Sequence, residues 1–279
     1  MQVCRTISDG RNTVATFRQA GESVGLVPTM GFLHAGHMEL VAAAKARADR
    51  VVVTIFVNPT QFGDASDLDS YPRDEKRDLQ MLEAAGVDMV LIPEVIDVYP
   101  EGDETIVETT RMANMLHGLV RPGHFRGVTT VVARLFNFVL PDLACFGEKD
   151  YQQLQIIKRM TRDLAFPIEI IGVPIVREAD GLAMSSRNVR LNAEDRAAAL
   201  IISQSLNAAE ALTDKTVESL RETIAHTINS EPRATIHGLD IVEAETLNDI
   251  SGVLTSPAAI MLSVEFGGVL LLDQRVIQP

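Results

Sequence analysis

Short apolar runs alternate with amphipathic segments over the first two thirds of the chain. Several of these runs are continuous and rich in β-branched residues, which indicates strands buried on both faces, as in a parallel sheet. The predicted strands are 24–28, 50–57, 88–93, 143–147 and 167–176. The predicted helices are 10–21, 35–48, 74–85, 127–139, 149–164 and 192–212. This alternation predicts an α/β fold with a Rossmann-like, doubly wound parallel sheet.

The character of the sequence changes near residue 177. The stretch READGLAMSSRNVRLN is polar and loop-like, and two amphipathic helical segments and then strand-like runs follow it. We therefore predict a Rossmann-like, ligand-binding domain over residues 1–176 and a smaller α+β domain over residues 177–279. The MSSR loop at the start of the second domain is expected to act as a lid over the site.

The bulk composition narrows the functional classes. Of 279 residues 46% are apolar, enough for a sizeable core, and the net charge of −13 argues against nucleic-acid or anionic-membrane partners. The longest apolar run, VVVTIFV, is too short to span a bilayer, and the N-terminus lacks the apolar core of a signal peptide. Cys4 and Cys145 form no disulfide framework and no metal motif, so we expect a cytoplasmic protein with reduced thiols.

Two histidines stand three residues apart where a predicted strand gives way to a helix, in the stretch PTMGFLHAGH. Residues at i and i+3 share a helix face, so His34 and His37 are expected to point the same way. The first helical turn attracts anions, and Gly31 and Gly36 allow a bulky anion to approach the backbone. We interpret the pair as a phosphate site. The alternatives are an ordinary surface helix start, or a metal site, for which no third ligand is spaced nearby.

Two further stretches combine positive charge with polar side chains. FGEKDYQQL follows a predicted strand, so Lys149 would reach a phosphate from a first helical turn and Asp150 could accept from a hydroxyl. GLAMSSRN offers Ser185, Ser186 and Arg187, which together suit a mobile phosphate clamp. The alternatives are an exposed charged helix start for the first stretch and, for the second, a helix N-cap region with Ser186 or Asn188 as the cap. Because PTMGFLHAGH, NPTQF and FGEKD all fall at strand ends, we expect them to converge on one ligand.

The remaining polar stretches suggest recognition of a second ligand. Gln61, in FVNPTQFG, carries a donor and an acceptor in one planar amide, which suits a substrate with hydroxyl and carboxylate groups. The stretch RPGHFRGV adds Arg121, His124 and Arg126, for which a solvated loop is the alternative to a binding role. For Arg126 we expect the solvated loop. No role is inferred for His117.

Together these stretches resemble the pantothenate synthetase family, the pantoate–β-alanine ligases. PTMGFLHAGH, FVNPTQF, RPGHFRGV, FGEKDYQQL and DGLAMSSRN occur in the family's order over residues 27–190. The resemblance implies a nucleotidyltransferase-type fold, in which HAGH is similar to the HIGH signature and MSSR to the KMSKS loop. It also implies two chemical steps. Pantoate attacks the ATP α-phosphorus to give pantoyl-adenylate and pyrophosphate, and β-alanine then displaces AMP to give pantothenate.

For the nucleotide, the resemblance implies contacts at several places along the chain. The catalytic residues would be His37, His34, Lys149 and Arg187, which would act on the triphosphate. ATP would arrive with Mg²⁺, for which no protein ligands are predicted. The residues expected to bind ATP are Met30, Gly31, Phe32, Leu33, His34, Ala35, Gly36, His37, Gly147, Glu148, Lys149, Asp150, Val176, Met184, Ser185, Ser186 and Arg187.

For the other substrates, the resemblance implies that Gln61 and Gln153 bind pantoate and β-alanine. Tyr71, in the polar, turn-rich segment 63–78, would lie on a lid that shields the intermediate from water. The family is typically dimeric, so a homodimer is expected, with small-molecule substrates as the other partners and no nucleic acid or membrane.

Two other functions stay open at this point. A nucleotidylyltransferase that adenylylates a phosphate ester would share the two-histidine site, but it would not explain two glutamines directed at one pocket. A nucleotide-sensing module without enzymatic activity would share the fold, and release of AMP from ATP would distinguish it from an enzyme.

Overall fold

The computed structural model describes residues 1–63 and 68–279, and this part of the chain divides into two compact units. The first unit comprises Met1–Gly147 and Gln152–Val173, and the second comprises Glu148–Tyr151 and Pro174–Pro279. The two-domain organisation predicted from the sequence, with its boundary at residue 176, stays a prediction.

The first unit is built on a parallel β-sheet. Within the described residues its strands are β1 (Gln2–Cys4), β2 (Val24–Thr29), β3 (Arg50–Ile55), β4 (Met89–Leu91), β5 (Leu143–Gly147) and β6 (Glu169–Val173). Neighbouring strands pair in parallel in the order β1-β4-β3-β2-β5-β6, so the order reverses between β2 and β5. Open α/β sheets bind ligands at such a reversal, beyond the carboxyl ends of the strands. The predicted doubly wound parallel sheet is confirmed.

Helices cover both faces of this sheet. Among the described residues they are α1 (Ile7–Gln19), α2 (Ala35–Lys45), α3 (Glu75–Ala84), α4 (Val95–Val98), α5 (His117–Val120), α6 (His124–Val139) and α7 (Tyr151–Asp163). Successive strand side chains point to opposite faces. Leu26 of β2 packs in the layer that contains Phe136. Its neighbour Val27 packs in the layer that contains Leu40. Both faces are therefore buried, which explains the continuous apolar runs.

Some element ends differ from the sequence-based prediction for local reasons. Helix α1 begins at Ile7 rather than at residue 10, because the Thr6 side chain caps its first turn. The strand predicted to end at residue 57 ends at Ile55. There the chain turns away from the sheet, since Asn58 caps a 3₁₀ turn over Pro59–Gln61.

The second unit joins helices to an antiparallel sheet. Its helices are α8 (Ala193–Ala198), α9 (Leu200–Glu210) and α10 (Val217–Asn229), and its strands, in sheet order, are β7 (Thr235–Glu243), β8 (Ala258–Phe266) and β9 (Val269–Ile277). The predicted helix 192–212 is thus two helices. Leu206, Ile224 and Ile260 bring α9, α10 and β8 into one apolar core. The predicted α+β character of this part is confirmed. No helix in the described part of the chain has the length and apolar character needed to cross a bilayer.

Candidate active site

The loop that joins β2 to α2, residues 30–34, has a constrained backbone. Gly31 (φ 81°) and Phe32 (φ 50°) both adopt left-handed conformations, which are rare for a residue other than glycine. The carboxylate of Asp78, which is 1% exposed, accepts hydrogen bonds from the N–H groups of Phe32 and Leu33, each at 2.7 Å. Asp78 was not among the predicted site residues. It lies in a charged stretch of α3, and no sequence pattern connects it with the β2–α2 loop.

The two glycines of this region are required by close contacts with other protein atoms. A Cβ at Gly31 would lie 3.1 Å from Oδ2 of Asp78 and 3.1 Å from Cγ2 of Ile55. A Cβ at Gly36 would lie 2.9 Å from Cε1 of His34, so this glycine lets the imidazole lie against the first turn of α2. Gly31 thus shapes the loop and Gly36 the first turn of α2, and the predicted approach of an anion stays a prediction.

His34 and His37 lie side by side at the start of α2, with ring centroids 4.1 Å apart. Nδ1 of His34 accepts from the Gly36 N–H at 3.1 Å, and Nδ1 of His37 accepts from the His34 N–H at 3.2 Å. An imidazole nitrogen that accepts carries no proton, so each neutral ring bears its proton on Nε2 and donates from there. Within residues 1–63 and 68–279, no group of three or more His, Cys, Asp or Glu side chains is placed to hold a metal ion.

Gln61 ends the 3₁₀ turn after β3, and both its main chain and its side chain are held. Nδ1 of His124 donates to the Gln61 carbonyl at 2.9 Å, and Nδ2 of Asn58 donates to Gln61 Oε1 at 3.0 Å. The solvated-loop interpretation is therefore wrong for His124. A guanidinium nitrogen of Arg121 lies 3.4 Å from Nε2, the second ring nitrogen of His124. Arg126 is exposed, as that interpretation predicts, but it lies in helix α6 and not in a loop.

The two glutamines of FGEKDYQQL have different surroundings. Gln152, which is 2% exposed, donates to the carbonyls of Met112 and Met115 at 3.0 and 2.8 Å. It also accepts from the His117 N–H at 3.1 Å, so it fixes the chain before α5. Gln153, the predicted substrate ligand, is half-buried on α7.

In the second unit, Glu148–Asp150 form a 3₁₀ turn that lies against β9. Within it Lys149 is half-buried and Asp150 is exposed. In the strand that precedes this turn, Cys145 is buried, and burial raises the pKa of its thiol to about 11. The thiolate is the nucleophilic form of cysteine, so this buried residue belongs to the core.

The MSSR stretch lies on a polar loop of the second unit, the 177–190 loop. The Met184 N–H donates to the Val176 carbonyl at 2.9 Å, which closes the base of the loop. Ser185 caps the 3₁₀ turn that follows, by accepting from the Arg187 N–H at 3.2 Å. The Arg187 side chain is exposed at the tip. A side-chain cap is thus present, but at Ser185 rather than at Ser186 or Asn188, and the role of Arg187 stays a prediction.

Charged groups anchor the root of the 177–190 loop. Arg177 pairs with both carboxylate oxygens of Asp273, which is 3% exposed, at 2.7 and 2.9 Å. Glu178 accepts from Asn188 at 2.9 Å and from Arg196 at 2.6 Å. Buried bidentate pairs of this kind have defined geometry, so the root of the loop is well fixed.

The predicted lid is described in part. Tyr71 packs edge-on against Phe62, with ring centroids 5.8 Å apart. Residues 64–67 of the predicted segment lie outside the described residues. Within the first unit the structure also brings Gln61 to Met30, with 3.2 Å between Nε2 and Sδ. Convergence of residues from both units on one triphosphate stays a prediction.

Comparisons with known proteins cover almost the whole chain. The family model described as pantoate-beta-alanine ligase matches residues 2–276. The pantothenate synthetase of Bartonella henselae is 50% identical over 281 residues, which cover 100% of this chain and 99% of the relative. The crystal structure of pantothenate synthetase from Thermus thermophilus superposes with a TM-score of 0.93 at 42% identity, covering 100% of both chains. Pantoate-beta-alanine ligase from Francisella tularensis, complexed with beta-gamma ATP and beta-alanine, has a TM-score of 0.80 at 34% identity, covering 99% of this chain and 97% of that one.

Proposed function

We propose a chemical course for the reaction, given that the chain belongs to the pantoate–β-alanine ligase family and is an ATP-dependent ligase that joins pantoate to β-alanine. A carboxylate oxygen of pantoate attacks the α-phosphorus of ATP, the bond to pyrophosphate breaks, and pantoyl-adenylate forms. The amine of β-alanine then attacks the acyl carbon, AMP leaves, and the amine loses a proton as the amide forms. Family membership decides against the phosphate-ester nucleotidylyltransferase and the non-enzymatic sensor.

The histidine pair is the observation that carries this proposal. Backbone N–H groups occupy both Nδ1 atoms, so His34 and His37 can offer a phosphate only their Nε2–H groups. Charge grows on the α-phosphate oxygens as pantoate attacks, and donors fixed in advance stabilise that charge more than they stabilise the bound substrate. We assign both histidines to the ATP phosphates as catalytic residues.

The same proposal assigns further nucleotide contacts to the β2–α2 loop, to the turn after β5 and to the 177–190 loop. Lys149 and Arg187 act on the triphosphate, Asp150 accepts from the ribose, and the backbone of Val176 meets adenine. Mg²⁺ enters with ATP as part of the substrate. The full set of proposed ATP-binding residues is Met30, Gly31, Phe32, Leu33, His34, Ala35, Gly36, His37, Gly147, Glu148, Lys149, Asp150, Val176, Met184, Ser185, Ser186 and Arg187.

For the acyl substrates we assign pantoate and β-alanine to Gln61 and Gln153, and we assign a shielding role to Tyr71. The two hydrogen bonds that hold Gln61 support its role, because a fixed amide distinguishes hydroxyl and carboxylate groups better than a mobile one. A homodimer and a cytoplasmic location complete the proposal. The cytoplasmic location is consistent with the two cysteines, which are free and buried.

Exchange of labelled pyrophosphate into ATP tests the proposed intermediate. With pantoate present and β-alanine omitted, we expect exchange, because formation of the adenylate is reversible and does not involve the amine. Omission of pantoate should abolish the exchange. A strict requirement for β-alanine would show that no free adenylate forms, and the two-step course would then be wrong.

A further inference from the structure

A chain of hydrogen bonds in the first unit runs from Tyr99 through Asn58 to Gln61. The Tyr99 hydroxyl donates to Oδ1 of Asn58 at 2.7 Å, and Nδ2 of Asn58 donates to Oε1 of Gln61 at 3.0 Å. Asn58 is 1% exposed, so water has little access to either end of its amide. A buried amide is sensitive to the loss of a partner, because no solvent molecule replaces it.

The neighbours of Asn58 admit one orientation of its amide. Oδ1 also accepts from the Thr60 hydroxyl at 3.0 Å and from the Thr60 N–H at 3.4 Å, while Nδ2 also donates to the Gly127 carbonyl at 3.2 Å. A carbonyl can only accept and a backbone N–H can only donate. The flipped amide would therefore face like groups at both ends. The hydrogen bond from Tyr99 is the shortest of those that Oδ1 accepts.

This orientation decides which end of the Gln61 amide is available to a ligand. Oε1 is engaged by Asn58, and Nε2 lies 3.2 Å from Sδ of Met30, a weak acceptor. The backbone of the turn cannot compensate by moving. A Cβ at Gly127 would lie 2.5 Å from the Thr60 carbonyl oxygen, so helix and turn are in direct backbone contact. Gln61 is thus set to donate rather than to accept.

The ring of Tyr99 is itself held by a second contact. The Arg134 guanidinium lies 4.6 Å from the ring centroid, and it is fixed by two hydrogen bonds of 2.7 Å to the Asp103 carboxylate. Burial raises the pKa of Tyr99, so its hydroxyl remains protonated and able to donate at neutral pH. The tyrosine is therefore a fixed donor rather than a freely rotating one.

We propose that Tyr99 is a positioning residue that acts through Asn58 to present the NH₂ group of Gln61 to an acceptor oxygen of pantoate. This inference rests on the proposed contact between Gln61 and pantoate. It adds a direction to that contact: the protein supplies the hydrogen, and the pantoate carboxylate or a hydroxyl oxygen accepts it. Tyr99 touches no substrate, and its effect should appear in the recognition of pantoate alone.

Tyr99→Phe tests the proposal, because it removes one oxygen and keeps the ring beneath Arg134. We expect the KM for pantoate to rise about 3- to 10-fold, the range for one neutral hydrogen bond, with the KM for ATP unchanged. Preference for pantoate over an analogue that lacks one hydroxyl should fall in parallel, since a misdirected amide discriminates less. A merely structural role would change neither the selectivity nor the ratio of the two KM values.

Two further variants separate this inference from the function on which it rests. Gln61→Ala should raise the KM for pantoate, and adding Tyr99→Phe to it should have no further effect. If Gln61→Ala raises that KM and Tyr99→Phe leaves it unchanged, the role of Tyr99 is wrong and the role of Gln61 stands. If Gln61→Ala leaves it unchanged, both fail. Thr130→Val is the matched control, since it removes another buried hydroxyl, bonded to Val107, and should leave pantoate kinetics unaltered.

Discussion

The two loops assigned to the ATP phosphates are held in different ways. The β2–α2 loop is fixed along its own backbone, where buried Asp78 accepts two successive N–H groups and a left-handed Phe32 is tolerated. The 177–190 loop is fixed at its root, through Arg177 and Glu178, and its Arg187 tip is exposed. The first arrangement presents donors in a set position, whereas the second provides a firm base for a tip that can adjust to a ligand.

The difference follows from what each anchor satisfies. A backbone N–H that is buried without an acceptor loses its hydration, and this costs free energy. Asp78 removes that cost only when the β2–α2 loop adopts the observed backbone conformation, so it stabilises that conformation directly. An ion pair at the root of a loop stabilises the unit without specifying the dihedral angles at the tip. Substitutions at the two loops should therefore have different effects. Changes that loosen the β2–α2 loop should lower activity and stability together, and changes in the 177–190 loop should alter activity and stability independently.

The largest expected effect is on turnover, at the two histidines proposed as phosphate donors: His34 ends the β2–α2 loop, and His37 lies in the first turn of α2. His37→Asn retains an acceptor for the His34 N–H but lacks the Nε2–H group, and we expect kcat to fall about 10²–10³-fold. Steady-state kinetics and a thermal melt would check this. The control is His237→Ala, which removes a half-exposed histidine paired with Glu265 in the second unit and should leave kcat unchanged. Equal rates for the two variants would contradict the assignment of His37.

Asp78, which anchors the β2–α2 loop, gives the next largest effect. Asp78→Asn leaves an acceptor for one of the two N–H groups and turns an NH₂ group towards the other. We expect the free energy of unfolding to fall by about 2–3 kcal/mol and activity to fall with it. Denaturant unfolding measures the loss. Glu75→Gln is the control on the same helix, because its exposed ion pair with Arg5 contributes little. A loss of stability with full activity would contradict the expectation that activity and stability change together in the β2–α2 loop.

The smallest effect concerns the root of the 177–190 loop and depends on pH. The hydrogen bond from Arg196 holds the pKa of Glu178 below its usual range. A lowered folded-state pKa stabilises the fold above the ordinary glutamate value of about 4.3, and this contribution is lost as pH falls through the folded-state value. Glu178 is about one third exposed, so its contribution is no more than about 1 kcal/mol.

Melting curves between neutral and acid pH would reveal that contribution. Glu178→Gln should be less stable than the parent protein at neutral pH, and the difference should vanish in acid. Glu194→Gln changes a largely exposed carboxylate in the same unit and should track the parent protein throughout. A pH-independent difference for Glu178→Gln would indicate that its charge is not what anchors the loop.

Much of the architecture could be predicted because it depends on local periodicity. Continuous apolar runs predicted β2, β3 and β5. The i, i+3 spacing predicted that His34 and His37 share a face, and their rings lie side by side. Strand β1, by contrast, has three residues with one buried side chain and was missed. A strand that short carries too few residues to show a period.

The supports of the site could not be predicted, because they join segments that are distant in sequence. Asp78 bonds to the backbone of residues 46 and 45 positions earlier, and Tyr99 bonds to Asn58 over 41 positions. Neither residue type is distinctive in its own stretch, where charged and turn-forming residues are common. Their significance comes from the order of β2, β3 and β4 in the sheet, which brings the loops after neighbouring strands to one edge.

The contact at Gly127 makes the turn that carries Gln61 a stiff part of the molecule. Backbone rests on backbone there, so no side chain can rotate to absorb a displacement. Helix α6, which is 16 residues long and contains Gly127, continues from this contact into the apolar layer around Phe136. The turn can shift only if that helix moves with it. The part of the site proposed to bind pantoate is therefore as rigid as the buried core.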